Sequence, residues 1–254
     1  MCVHFLDVGK ADCIYIKCEN KNILIDAADK DVSNSVVEYL CRQNINKLDL
    51  VVVTHPHRDH IGQMEDVVNN FKIDNFIMSE IPLEIIPTSI TYKKMLESIK
   101  NKNLKIKLVH SGEKFTLGNL KIDILGPYKQ YDNLNNNSVV MRLEYGNESF
   151  IFTGDAEKEA EKDMIQNNLN LKASVLKVGH HGSSTSTTKN FLKKVNPQFS
   201  IVSVGKDRNK LPKENIIKRI KKSGSDVYRT DIYGTIILKT NGDGIDISTE
   251  RRIA

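Results

Sequence analysis

The segment Thr54-His55-Pro56-His57-Arg58-Asp59-His60 places three histidines and one aspartate within six residues. It directly follows residues 48–53, a nearly continuous apolar run that predicts a strand buried on both faces. Imidazole nitrogens and carboxylate oxygens are preferred ligands of zinc and similar divalent ions, whereas they pack poorly in an apolar core. The segment therefore predicts a metal site at the end of a buried strand.

Two other apolar strands end in residues of the same chemical type. Predicted strand 149–153 leads through a glycine to Asp155, and predicted strand 174–178 leads through a glycine to His180 and His181. Five of the seven histidines of the chain thus lie on two loops that each follow an apolar strand. Because ligands bind where strand ends meet in layered α/β folds, we expect these loops to converge on one centre.

Hydrophobic periodicity predicts an α/β chain without an internal boundary. Apolar residues at helical spacing predict helices over residues 32–42, 61–71, 89–101, 157–167, 189–195 and 212–222. The segments between them predict short strands, some of them joined by Gly-Asn turns. No linker, repeat or low-complexity stretch interrupts the pattern, so we expect residues 1–254 to form a single domain of layered α/β architecture.

Composition restricts the class of protein and its location. The net charge of +5 and the pI of about 8.8 favour an anionic substrate or partner, although solvated lysine-rich faces would give the same values. The four cysteines form no C-x-x-C pair, so we expect free thiols rather than a thiolate zinc site. No apolar run is long enough to span a membrane and no signal peptide is recognisable, which predicts a soluble, cytoplasmic protein.

Taken together, the motifs resemble the metallo-β-lactamase superfamily. The shared pattern is His-x-His-x-Asp-His after a valine-rich strand, then Thr-Gly-Asp, then a late histidine. Residues 4–12, 176–183 and 229–234 narrow the resemblance to the hydrolase domain of ComEC-type DNA-uptake competence proteins and to the related phosphorylcholine esterases. The resemblance implies a four-layer αββα sandwich, with two mixed β-sheets flanked by helices and two divalent metal ions, zinc or manganese, at the shared sheet edge.

The resemblance also assigns roles to the motif residues. It implies that His55 and His57 bind the first metal, that Asp59 and His60 bind the second, and that Asp155 bridges both. The late ligand of the second metal is expected to be His180, with His181 as the alternative. Further residues are expected to contact the substrate or to support a ligand; these are His181, Ser183, Asn137, Ser138, Asp7 and Lys10.

The chain departs from the superfamily pattern at the first metal. Most members supply a third histidine there, but this chain has none between His110 and His180 and instead carries Asn137 and Ser138. An amide oxygen is a weak zinc ligand and suits a harder ion such as manganese. We therefore expect the first metal to bind more weakly than the second, or to need the substrate to complete its ligands.

These residues predict a metal-dependent hydrolase that cleaves a phosphodiester or phosphate ester, including nucleic acid. Asp59 and Asp155 are expected to orient a metal-activated water. Charge toward the phosphate is expected from Lys177, Lys206, Arg208 and Lys210. Two alternatives stay open from the sequence: a hydrolase of another ester, a lactone or a thioester, and a non-enzymatic metal-binding module.

Overall fold

The computed structural model describes residues 1–32, 35–205 and 210–252. In chain order the strands are Cys2–Phe5 (β1), Ile14–Cys18 (β2), Lys21–Ile25 (β3), Lys47–Leu48 (β4), Leu50–Val53 (β5), Lys72–Ile73 (β6), Phe76–Ser79 (β7), Ile106–Val109 (β8), Lys114–Leu117 (β9), Leu120–Gly126 (β10), Val140–Tyr145 (β11), Glu148–Phe152 (β12), Val175–Lys177 (β13), Phe199–Val202 (β14), Asp226–Arg229 (β15), Ile236–Lys239 (β16) and Asp246–Thr249 (β17). The α-helices are Val36–Arg42 (α1), Arg58–Ile61 (α2), Met64–Asn70 (α3), Ile90–Asn101 (α4), Lys158–Gln166 (α5), Lys189–Val195 (α6), Glu214–Lys222 (α7) and Thr230–Tyr233 (α8).

Fifteen of the strands form two large mixed sheets of similar design, and β4 and β6 pair with each other separately. The first has the order β17-β16-β1-β2-β3-β5-β7-β8, and the second has the order β15-β14-β13-β12-β11-β10-β9. In the first sheet the pairs from β3 to β8 are parallel, and in the second the pairs from β12 to β15 are parallel. Strand pairs in the remaining half of each sheet are antiparallel. Parallel strands bring their carboxyl ends to one edge, and β5, β12 and β13 all belong to these parallel halves.

Side-chain alternation along the strands explains the layers. Phe150 and Phe152 pack between the sheets, whereas Ile151 faces the helices on the outside of the second sheet. In β5, Val52 likewise faces the other sheet, while its neighbours on both sides face the outer helices. Both faces of these strands are therefore apolar, as the period-two geometry of a strand requires.

Helices cover the outer face of each sheet. Helices α1, α3 and α4 contribute to the apolar cluster outside the first sheet, and α5, α6 and α7 contribute to the cluster outside the second. The resulting order of layers is helix, sheet, sheet, helix. This arrangement confirms the predicted four-layer αββα sandwich with two mixed sheets.

Two predicted elements are interrupted for local reasons. The helix expected over residues 61–71 begins at Arg58 and is interrupted at Gly62 and Gln63, whose backbone N–H groups donate to the carbonyls of Ala28 and Ala27 instead of to the preceding turn. The strand expected over residues 48–53 is divided at Asp49, whose carboxylate accepts the backbone N–H of Asn22 at 3.0 Å. In both places a contact made far along the chain overrides the local periodicity.

The structure bears on two expectations from composition, the state of the cysteines and the presence of membrane-spanning helices. The four cysteines are free thiols, as predicted. Within the described residues no helix is long and apolar enough to cross a membrane. The single-domain boundary and the cytoplasmic location stay predictions.

Candidate metal centre

The three loops expected to carry ligands meet at one edge of the sandwich. Residues 54–60 follow β5, Asp155 follows β12 after a short turn, and His180 and His181 follow β13. Gly154 makes the second turn possible, because its φ is +50° and a Cβ atom there would lie 2.9 Å from Cβ of Thr54. Backbone contacts join the loops, since the N–H of His180 donates to the carbonyl of Gly154 at 3.2 Å.

One part of this edge, which we call the closed half, consists of Asp59, His60 and His181. Potential ligand atoms of these three residues lie within 4.8 Å of one another. Nε2 of His181 is 3.6 Å from Oδ2 of Asp59, and both imidazoles are fully buried. Nδ1 of His181 lies 2.9 Å from the carbonyl of Ser203, which can only accept, so Nδ1 carries the proton and Nε2 directs its lone pair into the centre.

The other part, which we call the open half, consists of His55 and His57. Nε2 of His55 lies 2.9 Å from Nδ1 of His57 and 3.8 Å from Oδ2 of Asp155. Burial lowers the pKa of both imidazoles, that of His55 well below its ordinary value. Both rings are therefore neutral near pH 7, which is the form that binds a metal.

Asp155 lies between the two halves. One of its oxygens is 3.4 Å from Nε2 of His60, and the other is 3.8 Å from Nε2 of His181. Burial acts to raise the pKa of this carboxyl, but the surrounding imidazoles of His60, His181 and His55 lower it well below its ordinary value. Asp155 is thus a carboxylate at neutral pH, in the position of a bridge.

Several buried polar atoms at this edge have no hydrogen-bond partner in the described part of the chain. They are Asp12 Oδ1, His60 Nε2, Asp155 Oδ1 and His181 Nε2. Each unpaired buried polar group costs about 1–3 kcal/mol, so their convergence needs an explanation. A divalent cation would bind such nitrogen and oxygen atoms, and the donor set fits zinc or manganese.

A second layer of polar groups fixes the orientation of His60. Oδ2 of Asp26 lies 2.7 Å from Nδ1 of His60 and also accepts the hydroxyl of Thr54 at 2.7 Å. Burial raises the pKa of Asp26, while the His60 imidazole opposes the rise. Asp26 is not among the residues predicted from the sequence, although it directly follows the buried strand β3 just as the predicted residues follow their strands.

His180 and His181 occupy different positions despite being adjacent. Both lie in the left-handed region, with φ of 48° and 52°, inside a tight turn from Gly179 to Gly182. His181 is buried in the closed half, whereas the side chain of His180 is 22 % exposed at the rim. Its Nδ1 lies 3.2 Å from Oε1 of Glu157 and its Nε2 lies 3.7 Å from Oδ2 of Asp155. The structure therefore groups His181, and not the expected His180, with Asp59 and His60.

Asn137 and Ser138 are both fully buried, and their polar side-chain atoms make contacts within the protein. The Asn137 amide is used within its own loop: Oδ1 accepts the N–H of Tyr131, and Nδ2 donates to the carbonyls of Tyr131 and Asn133. Ser138 Oγ accepts the N–H of Asp155 at 3.1 Å and lies 3.3 Å from Nδ1 of His55. Ser138 thus supports two candidate ligands from behind, which agrees with only one of its two expected roles.

The remaining residues expected near the substrate have mixed positions. Lys10 is at the rim, with Nζ 3.0 Å from Oδ2 of Asp59, and Ser183 is half-buried beside Thr185. Asp7 instead pairs with Arg251 at 2.5 Å.

The lysines and the arginine expected to direct charge toward a phosphate lie in different surroundings. Lys177 is buried, and its Nζ lies 2.8 Å from Asp12 and 3.0 Å from the carbonyl of Val178, so it supports the core. Lys210 is exposed, while Lys206 and Arg208 lie outside the described residues.

Comparison with known proteins places this geometry in a family. The chain is 29% identical to ComE operon protein 3 of Bacillus subtilis over an alignment of 254 positions, which covers 92% of this chain and 32% of that protein. It is 25% identical to competence protein ComA of Neisseria gonorrhoeae over 236 residues, which cover 91% of this chain and 31% of that protein. The chain thus spans about a third of the length of these curated relatives.

The fold and the family agree. A metallo hydrolase of the archaeon Ignicoccus hospitalis, Igni18, superposes with a TM-score of 0.61 at 17% identity, covering 95% of this chain and 100% of that one. The family model of the metallo-beta-lactamase superfamily, whose members are metal-dependent hydrolases, matches residues 6–206. The expected resemblance to the ComEC-type proteins is also confirmed. The chain belongs to the metallo-beta-lactamase superfamily.

Proposed function

We propose that the chain hydrolyses a phosphodiester or phosphate ester with a water activated at a centre of two divalent metal ions. The observation that carries the proposal is the convergence of unpaired, buried ligand atoms from three loops around Asp155. When bound, two such cations would lower the pKa of the water and stabilise the charge that develops on the phosphoryl oxygens.

The ligand assignment follows the geometry. His55 and His57 would hold one cation, while Asp59, His60 and His181 would hold the other, with Asp155 shared between them. We assign the late ligand to His181, because its buried Nε2 lies between Asp59 and Asp155 and makes no hydrogen bond in the described residues. Asp59 and Asp155 are both charged at neutral pH, so either can accept a hydrogen bond from the attacking water and orient it.

The rim supports an anionic substrate. Lys10 presents its ammonium group at the edge of the centre, and Ser183 and Thr185 add hydroxyls beside His180. Nδ1 of His180 lies 3.2 Å from both Oγ1 of Thr185 and Oε1 of Glu157, and its Nε2 faces Asp155. The open half lacks a third histidine, so it offers a position where a substrate oxygen can bind.

The test combines metal analysis with a model diester. We expect the purified protein to contain up to two equivalents of zinc or manganese and to hydrolyse bis-p-nitrophenyl phosphate when either metal is added. Asp155→Ala and His57→Ala should each lower turnover at least about a hundredfold, because the centre supplies several kcal/mol of stabilisation to the transition state. His110→Ala is the matched control, since His110 is an exposed histidine remote in sequence from the three loops.

Two results would contradict the proposal. Turnover of p-nitrophenyl acetate, but not of the diester, would favour a carboxylic ester or thioester as the substrate. A protein that binds neither metal would favour a non-enzymatic module.

A further inference from the structure

Positive charge is concentrated in one part of the sequence. Residues 171–222 contain 13 Lys and Arg but only 2 Asp and Glu. The other 202 residues contain 24 Lys and Arg against 30 Asp and Glu, so they are acidic on balance. The net charge of +5 therefore arises entirely from the segment that carries α6 and α7.

The fold collects part of this charge into a groove. Between α6 and α7 lies a groove of about 860 Å³ whose lining includes five basic residues; these are Lys189, Lys193, Lys218, Arg219 and Lys222. No Asp or Glu is among the lining residues, although Glu214 pairs with Lys218 from the first turn of α7. Within the described part of the chain, Lys189, Lys193 and Lys222 make no ion pair, so their ammonium groups are available for a ligand.

Both sides of the groove begin beside the metal centre. Helix α6 starts a few residues after the turn that carries His180 and His181. The carbonyl of Gly182, the last residue of that turn, accepts the N–H of Lys213, which precedes α7. Nη1 of Arg219 donates to the carbonyl of Thr187 at 2.8 Å and ties α7 to the loop that precedes α6. The groove thus runs along the two helices, away from the centre.

The chemistry of the groove favours a nucleic-acid backbone over a membrane surface. The nine residues of α7 span about 13 Å, the rise of about four nucleotides in one strand of a duplex. Asn190, Asn196 and Asn215 add amide groups that can donate to phosphate or sugar oxygens. Membrane-binding faces combine cations with exposed apolar side chains, but the exposed large hydrophobic residues of the described chain all lie outside α6 and α7.

We infer that the groove between α6 and α7 binds the sugar–phosphate backbone of a nucleic acid, at a surface separate from the metal ligands. The lining contains no aromatic side chain on which a base could stack, so recognition is electrostatic and independent of sequence. This inference goes beyond the proposed hydrolysis, because backbone binding at the groove does not require the metal centre to act.

The test uses two triple variants with the same change in net charge. One is Lys189→Ala, Lys193→Ala and Lys222→Ala in the groove. The control is Lys93→Ala, Lys100→Ala and Lys105→Ala, three exposed lysines in and after α4 outside the first sheet. Fluorescence anisotropy of a labelled 20-nucleotide single strand gives the dissociation constant at several salt concentrations. Thermal melting and metal content check that both triples fold like the unaltered chain.

We expect the groove triple to bind the strand at least about tenfold more weakly at low salt. Its plot of log K against log salt should be flatter by about 2, since each lost phosphate contact removes about 0.7 from the slope for a single strand. The control triple should stay within about twofold of the unaltered chain.

Two outcomes would overturn the inference. If both triple variants bound the strand equally weakly, binding would depend only on net charge and not on the groove. Binding of phosphatidylserine vesicles through the groove lysines, with no binding of the strand, would assign the surface to a membrane instead. If the unaltered chain bound the strand through the groove but did not hydrolyse the diester, the proposed function would be contradicted and the inference about the groove would stand.

Discussion

The two halves of the candidate metal centre differ in how completely the protein encloses them. In the closed half, His60 and His181 are fully buried, and each has its second ring nitrogen held by a carboxylate or a carbonyl. In the open half, His57 is only half-buried, and the loop ahead of Asp155 supplies Asn137 and Ser138 instead of a further histidine. A metal in the closed half should therefore bind more tightly, whereas the open half leaves room for the substrate.

The difference follows from what lies behind each half. Asp26 is a full carboxylate partner behind His60, placed by the strand next to β5. Behind His55 the partners are the neutral hydroxyls of Ser138 and Thr54, at 3.3 and 3.2 Å from Nδ1. Charge-assisted hydrogen bonds are roughly twice as strong as neutral ones, so the closed half is also the more rigid. The comparison leads to four predictions.

The largest loss of bound metal and of turnover should come from His181→Ala. This change removes a proposed ligand of the closed half and leaves the carbonyl of Ser203 without its donor, so the tightly held metal equivalent should be lost. Turnover of the model diester should fall by at least about a hundredfold. Metal content by inductively coupled plasma mass spectrometry, after gel filtration, gives the stoichiometry.

The adjacent His180→Ala provides the matched control. It changes the same turn and the same residue type, yet it should keep the tightly held metal, because His180 lies at the rim. Loss of that metal in His180→Ala and not in His181→Ala would reverse the assignment and support the ligand expected from sequence.

Asp26→Asn should have the next largest effect. The amide keeps the shape of the side chain but removes the charge that orients His60, and loss of such a partner typically lowers metal affinity about 10- to 100-fold. Competition with a chromophoric chelator measures this affinity. Asp49→Asn is the control, since Asp49 is an equally buried carboxylate that accepts from Asn22 and Lys21 outside the centre. An equal loss of affinity in both variants would mean that the effect is general destabilisation.

Ser138→Ala should weaken the open half by a smaller factor, up to about tenfold. The change removes the acceptor of the Asp155 N–H and the hydroxyl beside His55, while the direct ligands stay in place. The weaker metal equivalent should dissociate at a lower chelator concentration, with the tighter one unchanged. Ser200→Ala is the control, because Ser200 is a fully buried serine of the second sheet that bonds Ser225. If both metals weakened together, the division into two halves would be wrong.

The sequence predicted the fold and the three loops because both depend on local pattern. Apolar runs that end in ligand-type residues identify β5, β12 and β13, and the parallel strands bring their ends together. The family resemblance supplied the layer order. What the local pattern could not predict was the interruption after Ile61, since it depends on hydrogen bonds from Gly62 and Gln63 to the backbone of residues 27 and 28.

The choice between His180 and His181 was not accessible from sequence for a similar reason. Two adjacent histidines are the same residue type at nearly the same distance from the strand, so only the path of the folded turn decides which one is buried. Asn137 shows the same limit, because its amide is used by the backbone of Tyr131 and Asn133 in its own loop. Asp26 could have been recognised as a carboxylate at the end of a buried strand.

The smallest effect should come from Lys10→Gln at the rim of the closed half. Its Nζ lies 3.0 Å from Oδ2 of Asp59, but both side chains are partly exposed, and such ion pairs contribute about 0–1 kcal/mol. Metal affinity should therefore change by no more than about fivefold, and removing a competing cation from Asp59 should make the change an increase. Lys17→Gln, an exposed lysine on β2, is the control for lost charge. A large decrease in affinity for Lys10→Gln alone would mean that Lys10 positions Asp59 for the metal, and that the closed half depends on its rim as much as the open half does.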